Sequence, residues 1–237
     1  DLAARTEQIA FFPDVVCLPL RPPAMLAKAA ATIDLTSGGR FELGLGAGAF
    51  WDAIEGYGGP TRTPPEALAA LREAIAVIRA VWSGRRSLEE SGEHYSIAKV
   101  HGGPVPAHDI GIWVGGAGPR MLRLIGEAAD GWVPSMFRTP PDIVAGKHPV
   151  IDDAAEAAGR EPRSIRRVYN IGGVIGDDMV DRDDAIVGGP DLWVDRLTEL
   201  ATTYRMDTLV LWPEGDADEQ IERFATEVAP RVRERVG

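Results

Sequence analysis

Cysteine is almost missing from this sequence: Cys17 stands alone among 237 residues. A disulfide scaffold needs pairs and a cysteine-rich metal site needs several thiolates, so both are excluded, and a reducing cytosol is the expected setting. Basic charge is short as well. Lys and Arg total 25 against 36 Asp and Glu, a net charge of −11, and such a field repels nucleic acid and anionic membrane surfaces. Any anionic ligand must therefore meet positive charge that is local. No apolar run is long enough to cross a bilayer, and no initiator Met or charged-then-apolar leader opens the chain. Histidine is sparse: His94, His101, His108 and His148 are scattered, mostly in polar stretches, without metal-ligand spacing. Ser37, Ser91 and Ser135 lie in no nucleophile elbow. Neither a metal centre nor a catalytic triad is expected.

What the sequence does hold is alternation. "DLAARTEQIAFF" reads as a helix end entering a strand, 9–18, that Pro13 interrupts. Residues 22–36 form a helix with prolines in its first turn, and "RFELGLG" (40–46) is a strand. Residues 63–84 open with a capping box, Thr63 with Glu66, and Leu68, Leu71, Ile75, Ile78 and Trp82 then share one face. A polar stretch follows, with a short hairpin at "GEHYSIAKV" (92–100). Strands at 111–114, 130–134, 166–176 and 207–212 then alternate with helices at 118–128, 140–158, 190–204 and 217–235. The last helix can be capped by Asp216 with Glu219.

This alternation predicts parallel βα units in a single domain spanning 1–237. An open doubly wound sheet and a closed barrel both satisfy it. A full eightfold barrel takes ~250 residues, and six such units behind a helix fragment read as a barrel lacking its first two strands.

Two glycine clusters close strands. "LGLGAGAFW" (43–51) has G-x-G-x-G spacing, not the G-x-G-x-x-G of dinucleotide folds, and no acid ends the next strand at the distance that fold requires. It is either a close-packed turn or a turn at a barrel mouth, where strand ends carry sites. "GIWVGGAGPR" (111–120) places Gly115, Gly116 and Gly118 where a helix begins. Unpaired amides and the helix dipole there suit a phosphate, and Arg120 can add a charged donor or serve in a surface ion pair. Pro13-Asp14 inside an apolar strand points to a bulge that pushes backbone into the mouth, or to a strand that ends early. Asp52 is the one candidate catalytic acid near the first cluster; capping a helix is its other role. Of Trp51, Trp113, Trp132 and Trp212, near strand ends, one or two can wall a flat ring.

Together "LPLRPPAMLAKAAATIDLTSGGRFELGLGAGAFWDAIEGYGG", "IWVGGAGPRMLRLIGEAADGWVPS" and "MDTLVLWPEGD" resemble the luciferase-like monooxygenase family of flavin- and deazaflavin-dependent oxidoreductases. The resemblance covers nearly the whole chain and points most to members using the deazaflavin coenzyme F420, with FMN as the alternative. It implies an α/β fold, a (β/α)8 TIM barrel. It implies a bulge at Pro13-Asp14 or just after, often with a non-prolyl cis peptide, backing the cofactor's central ring. Gly46, Ala47 and Gly48 would lie beside the ring, and Gly115, Gly116, Ala117, Gly118, Pro119, Arg120 and Met121 around the ribityl phosphate. A small-molecule substrate and a homodimer, packed through the helices at 22–36 and 63–84, are also implied. One departure stands out: where the family's sugar-phosphate dehydrogenases carry an acid after the glycine loop, this chain has Ala49. A non-catalytic flavin-binding or partner-supporting barrel, and a nicotinamide-dependent dehydrogenase on an open sheet, are the rival readings.

Overall fold

The computed structural model describes residues 1–180 and 182–237. Its first half comprises α1 (Leu2–Arg5), β1 (Val16–Cys17), α2 (Pro23–Ser37), β2 (Leu43–Gly46), α3 (Trp51–Gly56), α4 (Pro64–Trp82), β3 (Leu88–Glu90), β4 (Ile97–Val100), β5 (Ile112–Gly115) and α5 (Pro119–Ala128). The second half comprises β6 (Gly131–Val133), α6 (Pro141–Ala145), α7 (His148–Ala157), β7 (Arg166–Ile175), β8 (Ala185–Gly188), α8 (Pro190–Thr202), β9 (Thr208–Pro213), α9 (Ala217–Arg223) and, after a π turn, α10 (Ala229–Val236).

Local chemistry sets the helix ends. The capping box at α4 forms, with the Thr63 side chain and Glu66 each satisfying the other's backbone amide. Asp216 accepts from the Glu219 amide at the start of α9. Gly38, left-handed at φ 70°, closes α2 and returns its amide to the Asp34 and Leu35 carbonyls.

The main sheet is parallel and runs β1-β2-β5-β6-β7, with β9 on the far side of β7 and β8 on the near side of its second half. Among the described residues no ladder joins β9 to β1. Alternation gives each strand two different faces. Leu43, Leu45, Ile112, Val114, Trp132 and Tyr169 face the helices and are fully buried. The alternate positions facing inward are mostly glycine: Gly44 and Gly46, Gly111 and Gly115, Gly131, and Gly172. Trp113, packed at a tilt of 59° against Phe12 with ring centroids 4.7 Å apart, fills part of that space.

Several expectations are corrected. The 140–158 helix is two helices, α6 and α7, parted at Gly146-Lys147. Strand β8 was not anticipated, and the hairpin pairs β4 with β3, upstream of the "GEHYSIAKV" stretch. The apolar side of α4 is consumed by the chain's own core, with Leu71, Ala74, Ile75, Val77, Ile78 and Val81 buried and the Trp82 indole donating to the Ala27 carbonyl of α2 at 2.8 Å. It is therefore not available to a second subunit.

His148, at the start of α7, is buried and hydrogen-bonded. Its Nε2 lies 2.8 Å from the Tyr204 carbonyl and its Nδ1 accepts from Arg167 Nε, so the neutral tautomer carries its proton on Nε2. Burial, together with the neighbouring Arg167 and Arg205 charges, lowers its pKa to about 4, against the lesser pull of the Tyr204 carbonyl and Asp152. The unfolded chain protonates this ring first, so the fold loses stability as pH falls from about 6.5 toward 4. The loss should reach up to about 3 kcal/mol. Urea denaturation at pH 7 and pH 4 measures it, and His148→Gln should start less stable but decline less steeply.

Candidate functional site

The Pro13-Asp14 oddity is a bulge. Phe11 bridges Phe41 and Val16 pairs Leu45, so five steps on the first segment face four on β2. The peptide between Asp14 and Val15 is cis. The bulge is seated where β2 has no side chains: a Cβ on Gly44 would lie 1.9 Å from the Pro13 carbonyl oxygen, and one on Gly46 2.8 Å from Val15 Cγ2. Val15 also reaches the second cluster, 3.8 Å from the Cβ position of Gly115. The three stretches singled out in the sequence thus meet where the segment leading into β1 crosses the carboxyl ends of β2 and β5.

The second glycine turn presents its amides and ties its carbonyls away. Trp132 Nε1 donates to the Gly116 carbonyl at 2.7 Å, and Lys147 Nζ donates to the Ala117 carbonyl at 2.9 Å. Gly116 has φ 135° and sits against Met121, which a Cβ would meet at 2.9 Å. The Gly118 carbonyl takes the Leu122 amide, while the Gly118, Arg120 and Met121 amides have no acceptor among the described residues, and Pro119 has no N–H to offer. Arg120 is exposed beside them. Lys147, which the sequence reading missed, brings a partly buried ammonium to this turn. Its only sequence signal is a basic residue at the break between α6 and α7.

The first turn is more heavily packed. Gly48, at φ 108°, lies under the Trp51 ring and Pro19, each about 3 Å from where a Cβ would stand. Gly46, Ala47 and Gly48 are half-buried, Ala49 and Phe50 are exposed, and Asp52 is an exposed acid in the first turn of α3, where the helix dipole favours it.

Inside the sheet, Asn170 on β7 and Trp212 on β9 share the inner face, since Asn170 pairs with Val210 and Gly172 with Trp212. Both side chains approach the Asp14 carboxyl. Asp14 Oδ2 and Asn170 Oδ1 are nevertheless buried without a hydrogen-bond partner among the described residues, and Asn170 reaches only Ser135 Oγ through its Nδ2, at 3.3 Å. Burial raises the Asp14 pKa above the ordinary carboxylate range, and the nearby Asn170 and Trp212 side chains, which stop short of a formed hydrogen bond to it, offset only part of that. Asn170 and Trp212 complete the site from strands whose contact with the bulge no local sequence pattern reveals. A separate groove of about 490 Å³, bounded by Met136, Pro141, Ile186, Leu192, Leu200 and Tyr204, includes neither glycine turn.

A family model described as luciferase-like monooxygenase matches residues 2–235. The chain belongs to this family. It is 36% identical over 169 residues, 70% of its length and 45% of the relative's, to the phthiodiolone/phenolphthiodiolone dimycocerosates ketoreductase of Mycobacterium kansasii. It is 32% identical over 172 residues, 72% of the chain and 51% of the relative's, to the F420-dependent glucose-6-phosphate dehydrogenase of Nocardia farcinica. The chain therefore spans about half the length of the curated relatives it matches. Among solved structures, an F420-dependent secondary alcohol dehydrogenase with an F420-acetone adduct superimposes with a TM-score of 0.87 at 17% identity, covering 98% of this chain and 82% of that one. That likeness establishes the fold, the luciferase-like TIM-barrel arrangement of parallel strands and helices.

Because the bulge rests on a missing side chain, Gly44→Ala should unseat it. A methyl group cannot share space with the Pro13 carbonyl, and overpacking of this kind costs about 1–3 kcal/mol. Urea unfolding of Gly44→Ala beside Gly58→Ala is the comparison. Gly58 has open space around its Cβ position and only a strained φ of 79°, so its loss should be the smaller.

Proposed function

We propose that this chain is the barrel of an F420-dependent oxidoreductase that moves a hydride between the deazaflavin and a small organic substrate. The observation that carries the reading is the second glycine turn. Its unpaired amides at Gly118, Arg120 and Met121, with Lys147 tethered alongside, form a local seat for an anion in a chain whose net charge of −11 would otherwise repel one. Pro13, Asp14 and Val15 stand beside that seat, with the bare positions Gly46 and Gly115 around them, which suits a flat ring lying against backbone.

When bound, the deazaflavin supplies the two-electron chemistry; binding and orientation fall to the protein. In this reading Gly115, Gly116, Ala117, Gly118, Pro119, Arg120 and Met121 hold the phosphate-bearing tail. Pro13 and Asp14 back the ring and Gly46, Ala47 and Gly48 flank it. The names of the relatives, a ketoreductase and a sugar-phosphate dehydrogenase, favour a carbonyl or carbinol carbon as the reacting centre. Ala49 stands where the sugar-phosphate enzymes place an acid, which argues against a sugar phosphate as substrate. For the homodimer, the surface on offer is the outer side of α2, where Met25, Ile33 and Leu35 are exposed.

Fluorescence titration of the purified protein with F420 and with FMN tests the cofactor. F420 should bind and FMN should bind more weakly; indifference to both rejects the reading. Gly116→Ala, which strains a left-handed backbone and presses on Met121, should weaken F420 binding about tenfold. Sedimentation tests the assembly, with a dimer for the wild type and monomers for Leu35→Glu.

A further inference from the structure

The two orphaned oxygens of the inner face ask for hydrogens that the protein as described does not provide. Asp14 Oδ2 and Asn170 Oδ1 are both acceptors, both buried and both without a donor, and Asn170 is only 5% exposed. A buried acceptor left unmet in this way is costly. Among the described residues no cation acts on Asp14 to compensate its ionised form. From β7 it is faced by Asn170, from β9 by Trp212, and β2 and β5 present Gly44, Gly46 and Gly115 on that side. Along its own segment the titratable side chain nearest in sequence is the Cys17 thiol. Further along, Glu214 beside Gly172 is already paired with Arg182 at 2.8 Å. Asp14 is only half-buried at present, so water still reaches part of it.

We infer that Asp14 takes up one proton when a planar ligand closes over the bulge, so that Asp14 and Asn170 together become an uncharged hydrogen-bonding floor beneath the ring. The inference rests on the reading of the site given above. A ring lying on the bulge removes the remaining water from the carboxyl, and a carboxylate stripped of water without a counter-ion is the costlier form. A proton on Asp14 turns one orphaned acceptor into a donor that Asn170 Oδ1 can accept. The floor then suits a neutral ring with hydrogen-bonding edges, and it places no fixed negative charge under a ring that gains electrons. Asp14 acts here by exchanging a solvent proton, and no covalent bond to carbon is made or broken at it.

Proton uptake can be read without turnover. Calorimetric titration of the protein with F420 at pH 7.5 in two buffers of different ionisation enthalpy gives the number of protons taken up. About one is expected for the wild type and none for Asp14→Asn. The wild-type Kd should rise by up to tenfold per pH unit toward alkaline pH, while that of Asp14→Asn should stay level over the same range. Infrared spectra of the wild-type complex should contain a protonated-carboxyl stretch that Asp14→Asn lacks. Should Asp14→Asn fail to fold, Asn170→Ser serves instead and should reduce the uptake by removing the facing oxygen. Uptake that persists in Asp14→Asn, or a wild type that binds F420 without uptake, overturns this inference and leaves the cofactor reading intact. A wild type that binds neither F420 nor FMN overturns both.

Discussion

A backbone bulge pressed against glycine organises this end of the molecule. The segment Pro13–Val15 occupies volume that a Cβ on Gly44 or Gly46 would claim, and Val15 spans from there to Gly115. Interiors are close-packed and give little, so these glycines fix where the bulge sits, and the bulge fixes what faces the inner side of the sheet. Asp14 is carried toward Asn170 and Trp212 as a consequence. Were the inner positions of β2 filled by valine or leucine, as in an ordinary buried parallel strand, the segment could not approach and the two glycine turns would have nothing between them.

The two turns differ in what supports them. The first is held by side-chain packing, with Trp51 and Pro19 over Gly48. The second is held by hydrogen bonds to its carbonyls from Trp132 and Lys147, which leaves its amides free for another acceptor. A turn stabilised through its carbonyls keeps the donors that an anion needs, and Lys147 adds charge where the macrodipole of α5 is already positive.

Much of this was legible from residue order. The capping box at Thr63 and Glu66, the Asp216 cap and the proline-led helices follow from interactions within a few residues, and they are found as expected. The bulge was signalled by a proline inside an apolar strand, and its presence and the cis peptide just after Asp14 agree with the family resemblance. Less legible were the break between α6 and α7, and β8, a four-residue strand with no distinctive pattern that depends on the edge β7 offers it. The apolar side of α4, expected at a subunit contact, lies in the chain's own core, because an apolar helical face looks the same whether it packs on its own sheet or on a partner.

The sequence by itself determined the alternation of parallel strands and helices, the glycine turns at strand ends and the family to which they belong. These are encoded by periodicity and by residues with special backbone freedom, both of which act locally. Only the tertiary structure decided which side chains answer one another across the sheet: Lys147 to Ala117, Trp132 to Gly116, and Asn170 with Trp212 to Asp14. Those pairings join residues up to 198 positions apart, from Asp14 to Trp212. They depend on the twist and register of strands between them, which no short stretch of the chain specifies.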